Sequence, residues 1–328
     1  MKIDWTRNET LVALVILGFC AAAAMSDPGF LSLATLTDLL RGGIVLGIFA
    51  VAALIVLISG GIDVSFTAVA AFTMYVTAMI LNAALPWLPW WAALAFGMAV
   101  GAALGAFNGV LIAFFGLPTL IVTLGTMSIF RGTMLTFIGQ KQITTLPPGM
   151  RDFGRMMLLR GENSDGSFYS LHGAFAVTVL VVVLTWAILH RTMLGRQIFA
   201  IGGSEESARR IGINVSRVQF FVYIYVGALA GLAGIIHASM ARVANPFDLV
   251  GLELSVIAAV VLGGARLAGG HGTLTGTILG VALIVLVRNS LIVLGIPSTW
   301  QSVTIGCLIL LGTGLPAWQA KRAAARAA

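Results

Sequence analysis

Charge is what this chain has least of: Asp, Glu, Lys and Arg fill 9% of its 328 positions, while hydrophobic residues fill 59%. Soluble domains carry about 25% charged residues, so a water-facing surface is excluded and the solvent around most of the chain is lipid. Cysteine is nearly missing too. Cys20 and Cys307 both lie inside apolar runs, where a thiol behaves as a small hydrophobe, and the pair makes neither a metal site nor a disulfide framework. The sequence also lacks a His-Glu-x-x-His pair, a Gly-x-Ser-x-Gly turn and Asp-rich magnesium motifs, which argues against an intramembrane enzyme. The formal charge of +7 lacks the aromatic-interleaved basic face that nucleic acid requires. Its cations sit in short loops and near the C-terminus (Lys321, Arg322, Arg326), so the excess reads as membrane orientation.

What is present is a series of apolar stretches long enough, or nearly so, to cross about 30 Å of hydrocarbon. They run Thr10–Met25, Asp38–Ser59, Phe66–Leu81, Trp91–Phe115 and Thr119–Ile138, then His172–Leu189, Val218–Ala241, Leu254–Leu267, Thr273–Leu294 and Trp300–Leu315. The fold class expected is therefore all-α, a single polytopic membrane domain over residues 1–328 with about ten spans. The third and eighth are short enough to be broken or re-entrant. Lys2 and Arg7 precede the first run as in a cleavable signal, but the spans that follow favour an uncleaved helix.

Two polar segments interrupt the series. The one from His190 to Arg217 carries five arginines (191, 196, 209, 210 and 217) against Glu205 and Glu206, which the positive-inside rule places in the cytoplasm. The one from Gly139 to Leu171 is nearly balanced and belongs outside. Ten spans then leave both termini cytoplasmic, and Trp87, Trp90 and Trp91 flank an outer loop as an interfacial belt does.

The halves echo each other. Gly61-Ile-Asp63-Val-Ser65-Phe returns as Gly251-Leu-Glu253-Leu-Ser255-Val, and Asn108, Gly116, Pro118, Thr123 and Gly125 return in order as Asn289, Gly295, Pro297, Thr304 and Gly306. Copies of spans two to five (about 38–139) and seven to ten (about 218–315), separated by one helix, are oppositely oriented. Inverted repeats with short helices in matching places are a transporter signature.

Asp63 and Glu253 stand where apolar helices begin, so capping is their nearer reading, with lining of a solute path the other. Asn108 and Asn289 lie on spans, where a polar side chain usually bonds to a neighbouring helix. Arg131, Arg266 and Arg288 read as snorkelling residues and His237 as a packed one. Gly97, Gly101, Gly105 and Gly109 form a stripe along which another helix can pack closely, and Gly272, Gly276 and Gly280 form its counterpart. In the cytoplasmic segment, Ser204 with Glu206 and Ser207 can cap a short helix that Gly212 ends, a docking element or else a solvated connector.

Five stretches together carry a resemblance: Ser59-Gly-Gly-Ile-Asp-Val-Ser65, Asn108-Gly-Val-Leu-Ile-Ala, the run from Val122 to Gly132, Gly195 to Val215, and Ile257-Ala-Ala-Val-Val-Leu-Gly-Gly264. Over nearly its whole length the chain resembles the inner-membrane permeases of bacterial ATP-binding-cassette importers of the ribose type. That resemblance implies a coupling helix around Glu205 to Gly212, seated in a groove of a cytoplasmic ATPase. It also implies a second permease chain, identical or not, and a periplasmic sugar-binding protein. ATP and magnesium would be bound by the ATPase; this chain has no Gly-x-x-x-x-Gly-Lys loop and needs no cofactor of its own. The coupling residues expected are Gly195, Arg196, Ser204, Glu205, Glu206, Ala208, Arg209, Arg210 and Gly212. The path residues expected are Asp63, Ser65, Asn108, Thr123, Glu253, Ser255 and Asn289. One departure stands out: Phe66-Thr67 replaces the Val-Gly common in the family, making the helix entrance beside Asp63 bulkier. The alternatives are an ion-coupled carrier, which the inverted repeat fits equally well, and an importer of another small solute such as a nucleoside or branched-chain amino acid.

Overall fold

The computed structural model describes residues 8–26, 28–163 and 166–293, together with 297, 300, 303, 304, 306, 307 and 310. Ten of the sixteen residues of the expected tenth span fall outside these residues, as do Lys2, Arg7, Gly295, Lys321, Arg322 and Arg326. Within them the chain is a helical bundle. Its elements are α1 (Asn8–Ser26), α2 (Leu33–Ile58), α3 (Phe66–Ala83), α4 (Trp90–Ala113), α5 (Thr119–Thr133), α6 (Pro148–Phe153), β1 (Met157–Glu162) and β2 (Phe168–His172). There follow α7 (Ala174–Arg191), α8 (Met193–Gly203), α9 (Glu205–Arg210), α10 (Val215–Ala241), α11 (Leu252–Leu262) and α12 (Leu274–Val293). Six helices among the described residues are long and apolar enough to cross a membrane: α2, α3, α4, α5 with the π-turn Met134–Ile138 that extends it, α7 and α10.

Helix α2 is the axis of the bundle. Ser32 caps it by accepting from the Thr35 N–H, and every residue from Ile48 to Ile58 is buried, as expected of a helix that is apolar all round. Beside it lies α10, which packs antiparallel against α4 along a glycine seam. A Cβ on Gly101 would strike the Gly227 carbonyl, one on Gly105 the Tyr223 carbonyl, and one on Gly231 the Gly97 carbonyl. With no side chain between them the two backbones lie in direct contact, which a membrane interior rewards through dispersion. The glycine stripe expected on α4 is thus satisfied by α10. Gly263, Gly276 and Gly280 do the same for α11 and α12, where Cβ atoms would meet the Gly276, Gly263 and Ala259 carbonyls.

The third span is a continuous helix of 18 residues; the eighth, α11, has only 11. At 1.5 Å per residue α11 is about 16 Å long, roughly half the hydrocarbon thickness. The segment from Gly139 to Leu171 was expected to be an outer loop, and there the chain forms a two-stranded antiparallel hairpin, β1 with β2, that an all-helical reading omits. Its turn closes through the Asn163 N–H donating to the Ser167 carbonyl (2.8 Å), with Gly166 at φ +81°.

The bundle has two distinct ends. At one, α6 stacks Phe153 on Trp90 (5.6 Å between ring centres), Ile143 and Ala244 exchange backbone hydrogen bonds, and Gly154 abuts Ser239. The hairpin is continuous with this end. At the other lie α8 and α9, the loop after α2 and the turn between α11 and α12, with Glu9 of α1 accepting from Thr273 and Thr275.

Candidate functional site

The segment after α7 forms two short helices, α8 and α9. Thr192 caps α8 by accepting from the Gly195 N–H (3.2 Å), and Gly195 is pressed against the Ile188 and Leu189 carbonyls. Ser204 caps α9 by accepting from the Ser207 N–H (3.2 Å), and Gly212 leaves it at φ +86°. Glu205 pairs with Arg209 (2.7 Å) and Glu206 with Arg210 (2.5 Å), each one turn apart on exposed faces, while Ala208 is buried beneath. Exposed pairs of this kind contribute about 0.3–0.5 kcal/mol each, so α9 is held chiefly by its cap and by Ala208. Arg196 projects into solvent from α8, its guanidinium touching Met193 Sδ.

The end of α8 touches both halves of the chain at once. A Cβ on Gly202 would collide with the Ile58 carbonyl, the last turn of α2, and that carbonyl accepts from the Gly270 N–H (3.0 Å). Gly269 abuts Gly60 and the Gly202 carbonyl, and Gly270 abuts Gly203. Gly60, Gly269 and Gly270 all have φ between +72° and +89°, so only glycine fits this clasp without strain.

Deeper in the bundle is a polar junction. Asp63 Oδ1 accepts from the Ser65 N–H and Ser65 Oγ (both 2.7 Å), and Asn108 Nδ2 donates to Ser65 Oγ (2.8 Å). All three side chains are buried. Thr123 Oγ1 donates to the Ile62 carbonyl (3.3 Å) and the Ile62 N–H donates to Thr119 Oγ1 (3.1 Å), which tethers the segment between α2 and α3 to the start of α5. One turn beyond, Thr67 donates to Glu253, so the first turns of α3 and α11 are joined side chain to side chain. Four of the expected path residues, Asp63, Ser65, Asn108 and Thr123, therefore cluster around the start of α3, and Glu253 is drawn to it by Thr67. Ser255 is buried in the first turn of α11; Asn289 is half-buried on α12, with no hydrogen bond linking it to the cluster among the described residues. Thr67, Thr119 and Tyr223 were missed by sequence reasoning. Thr67 was noted only as a departure, and its partner lies 186 positions away.

Asn108 Oδ1 and the Tyr223 hydroxyl are buried with no hydrogen-bond partner among the described residues. Both border the junction: a Cβ on Gly61 would lie 2.8 Å from the Tyr223 hydroxyl. Unsatisfied polar atoms at such depth cost about 1–3 kcal/mol each, which water or a passing solute would recover.

A cavity opens on each side. The first, about 570 Å³, lies at the α8–α9 end between Gly61, Thr119, Tyr223, Gly202, Glu205 and Arg209. The second, about 510 Å³, lies toward the hairpin end between α2, α10 and α12 and reaches Leu252, the residue before Glu253. The junction stands between them.

The model of the family described as branched-chain amino acid transport system / permease component matches residues 35–312. The chain is 34% identical over 305 residues to the ribose import permease protein RbsC of Escherichia coli (strain K12), covering 93% of this chain and 92% of that one. It is 33% identical to the autoinducer 2 import system permease protein LsrC of Salmonella paratyphi B over 95% of this chain and 86% of that one. LsrC of Yersinia pseudotuberculosis serotype O:3 is 31% identical over 95% and 85%. No solved structure matches significantly. With the family model spanning most of the sequence and these relatives aligned nearly end to end, the chain belongs to the family of branched-chain amino acid transport system permease components, and is a multi-pass membrane subunit rather than an enzyme.

Proposed function

We propose that this chain is the permease of an ATP-binding-cassette importer that carries a small sugar or sugar-like solute inward across the bacterial inner membrane. The observation that carries it is the pair of cavities of about 510 and 570 Å³ on opposite sides of one polar junction, the layout of a path closed at its middle. The relatives, ribose and autoinducer 2 import permeases, supply the solute class.

In this reading α9 docks in a cytoplasmic ATPase, which binds ATP and magnesium, and a periplasmic binding protein delivers solute at the hairpin end to a pair of permease chains. Gly195, Arg196, Ser204, Glu205, Glu206, Ala208, Arg209, Arg210 and Gly212 build the docking element. Its movement reaches α2 and the α11–α12 turn together through Gly202, Gly60, Gly269 and Gly270. Asp63, Ser65, Asn108, Thr123 and Glu253 form the closed middle of the path, with Ser255 and Asn289 bordering it. Ten spans in two inverted repeats, 38–139 and 218–315, with both termini cytoplasmic, complete the picture. What supports the repeats is that the two copies of the Gly-x-acid-x-Ser motif open α3 and α11, whose first turns meet through Thr67 and Glu253. An ion-coupled carrier needs no docking helix.

Copurification in detergent, followed by ATP-driven uptake in proteoliposomes, tests this reading. The expected result is an ATPase and a binding protein bound to the chain, and uptake lost on deleting residues 205–212. Uptake that survives the deletion, or needs an ion gradient instead of ATP, overturns it. Transport of leucine in place of a sugar overturns the solute class alone.

A further inference from the structure

The cavity at the α8–α9 end stops short of the polar junction. Gly61, Thr119 and Tyr223 line it on the side toward the junction, whereas Asp63, Ser65, Asn108 and Thr123 do not line it. Two of those three wall residues are fixed. The Gly61 N–H donates to the Val56 carbonyl (3.1 Å), and the next residue, Ile62, is held at its N–H by Thr119 and at its carbonyl by Thr123. Thr119 opens α5 and is engaged in that bond. Tyr223 differs. Its side chain is buried and its hydroxyl points at Gly61; Thr119 stands beside that hydroxyl, yet it makes no hydrogen bond of normal geometry among the described residues. Its main chain, by contrast, is clamped in the glycine seam, the carbonyl against Gly105 and Cβ against Gly109. A tyrosine held at its backbone but not at its polar end keeps one freedom, rotation of the ring, and the adjoining cavity of about 570 Å³ has room to receive it.

We infer that Tyr223 is the gate of the path on the α9 side: its ring seals the junction from this cavity and swings into the cavity to let solute leave. Position is the first ground. Ile62, bonded to Thr119 and Thr123, leads directly to Asp63, so the Tyr223 ring stands where cavity and junction would otherwise meet. Drive is the second. Helix α10 starts at Val215, soon after Gly212 ends α9, and Asn214 caps it by accepting from the Arg217 N–H (3.1 Å). Tyr223 lies about two turns along that helix, so a push on α9 reaches the gate through one continuous element. Chemistry is the third. A phenyl ring would seal the closed state without burying an unmet hydroxyl, whereas the hydroxyl becomes useful once the ring turns, because it can both donate to and accept from a hydroxylated solute. Gln219, one turn earlier, lines the same cavity and continues the polar track toward the α9 end.

The inference rests on the transport reading, and the test reads the gate without transport. Ser65→Cys, close in size to the native residue, is the reporter in the junction, with Cys20 and Cys307 replaced by serine. A small membrane-impermeant methanethiosulfonate is applied to inside-out vesicles without ATP, where it meets the α9 side, and to ATP-depleted spheroplasts, where it meets the hairpin end. Slow modification is expected with Tyr223 in place and in Tyr223→Phe, which keeps the ring. In Tyr223→Ala the rate should rise about tenfold or more, and only in inside-out vesicles. Tyr223→Leu keeps an apolar side chain against α4 but is too short to reach Gly61, so it should open the gate as well and carries the test where Tyr223→Ala does not fold. An unchanged rate in whichever of these two variants folds, an equal rise from both sides, or Tyr223→Phe as open as Tyr223→Ala would overturn the gate and leave the transport reading standing. A wild-type chain that moves no solute when assembled with its ATPase and binding protein overturns both.

Discussion

His172 ends β2 and is buried just before α7 begins. Its Nδ1 accepts the Ala174 N–H (3.0 Å), so the neutral ring carries its proton on Nε2, and a second proton would have to displace that bond. Burial is the main cause of a pKa below the usual 6.5, the Arg41 charge lowers it further, and the Gly154 backbone opposes them only in part. The folded state thus binds this proton less readily than the unfolded one. Its contribution is whole above about pH 6.5 and is lost as pH falls through the lowered folded value. Melting in detergent should show a midpoint that drops between pH 7 and pH 5, and His172→Gln should flatten that drop; an equally steep profile in the variant refutes the assignment. Glycines make a second case at this scale. Gly227→Val puts a side chain where the Gly101 carbonyl stands and should cost roughly 1–3 kcal/mol or more, whereas Gly125→Ala meets nothing within 4 Å and should leave the melting midpoint unchanged.

Between elements, the clasp at Gly202 and the Thr67–Glu253 bond are where motion would pass. Gly202→Ala forces α8 off the last turn of α2 while leaving α9, its Ser204 cap and its ion pairs untouched. The expected outcome is an ATPase that still docks and still hydrolyses ATP but moves little solute; uptake within about twofold of wild type would remove the clasp from the coupling route. Thr67→Val leaves the Glu253 carboxylate without its hydroxyl donor and should slow uptake more than Glu253→Gln, which keeps a polar group able to accept from Thr67. Equal effects would count against the bond. How far these elements were legible depends on their range in sequence. Span two was read as Asp38–Ser59 and is Leu33–Ile58; span seven was read as Val218–Ala241 and is Val215–Ala241, because a long apolar run in lipid has no option but helix. The cap at Ser204 and the stop at Gly212 were legible for a similar reason, being local chemistry within a few residues. The β1–β2 hairpin was not, since Met157–Glu162 mixes apolar and charged residues without a clean alternation. Nor were the cavity of Asp38, Arg41, His237 and Arg288 and the pairing of Thr67 with Glu253, which exist only once distant helices pack.

For the whole molecule, the sidedness of the path follows from α7. The hairpin precedes this helix and α8 and α9 follow it, with 18 helical residues between. That length, about 27 Å at 1.5 Å per residue, crosses the hydrocarbon once, so hairpin and α9 face opposite aqueous phases whatever the orientation of the rest. The arginines of the 190–217 segment outnumber its acids, so the positive-inside rule predicts that it faces the cytoplasm and the hairpin the outside. Two exposed positions report the result directly: Glu162 on β1 and Ser207 on α9. In a background with Cys20 and Cys307 replaced by serine, Glu162→Cys should react with a membrane-impermeant maleimide in intact spheroplasts, and Ser207→Cys only after the membrane is opened. The reverse pattern would put the docking helix beyond the reach of any cytoplasmic ATPase and the Asp38–Arg288 cavity at the wrong mouth for an importer. Labelling of both positions in intact spheroplasts would mean that α7 does not cross, and that the two cavities do not open to different sides.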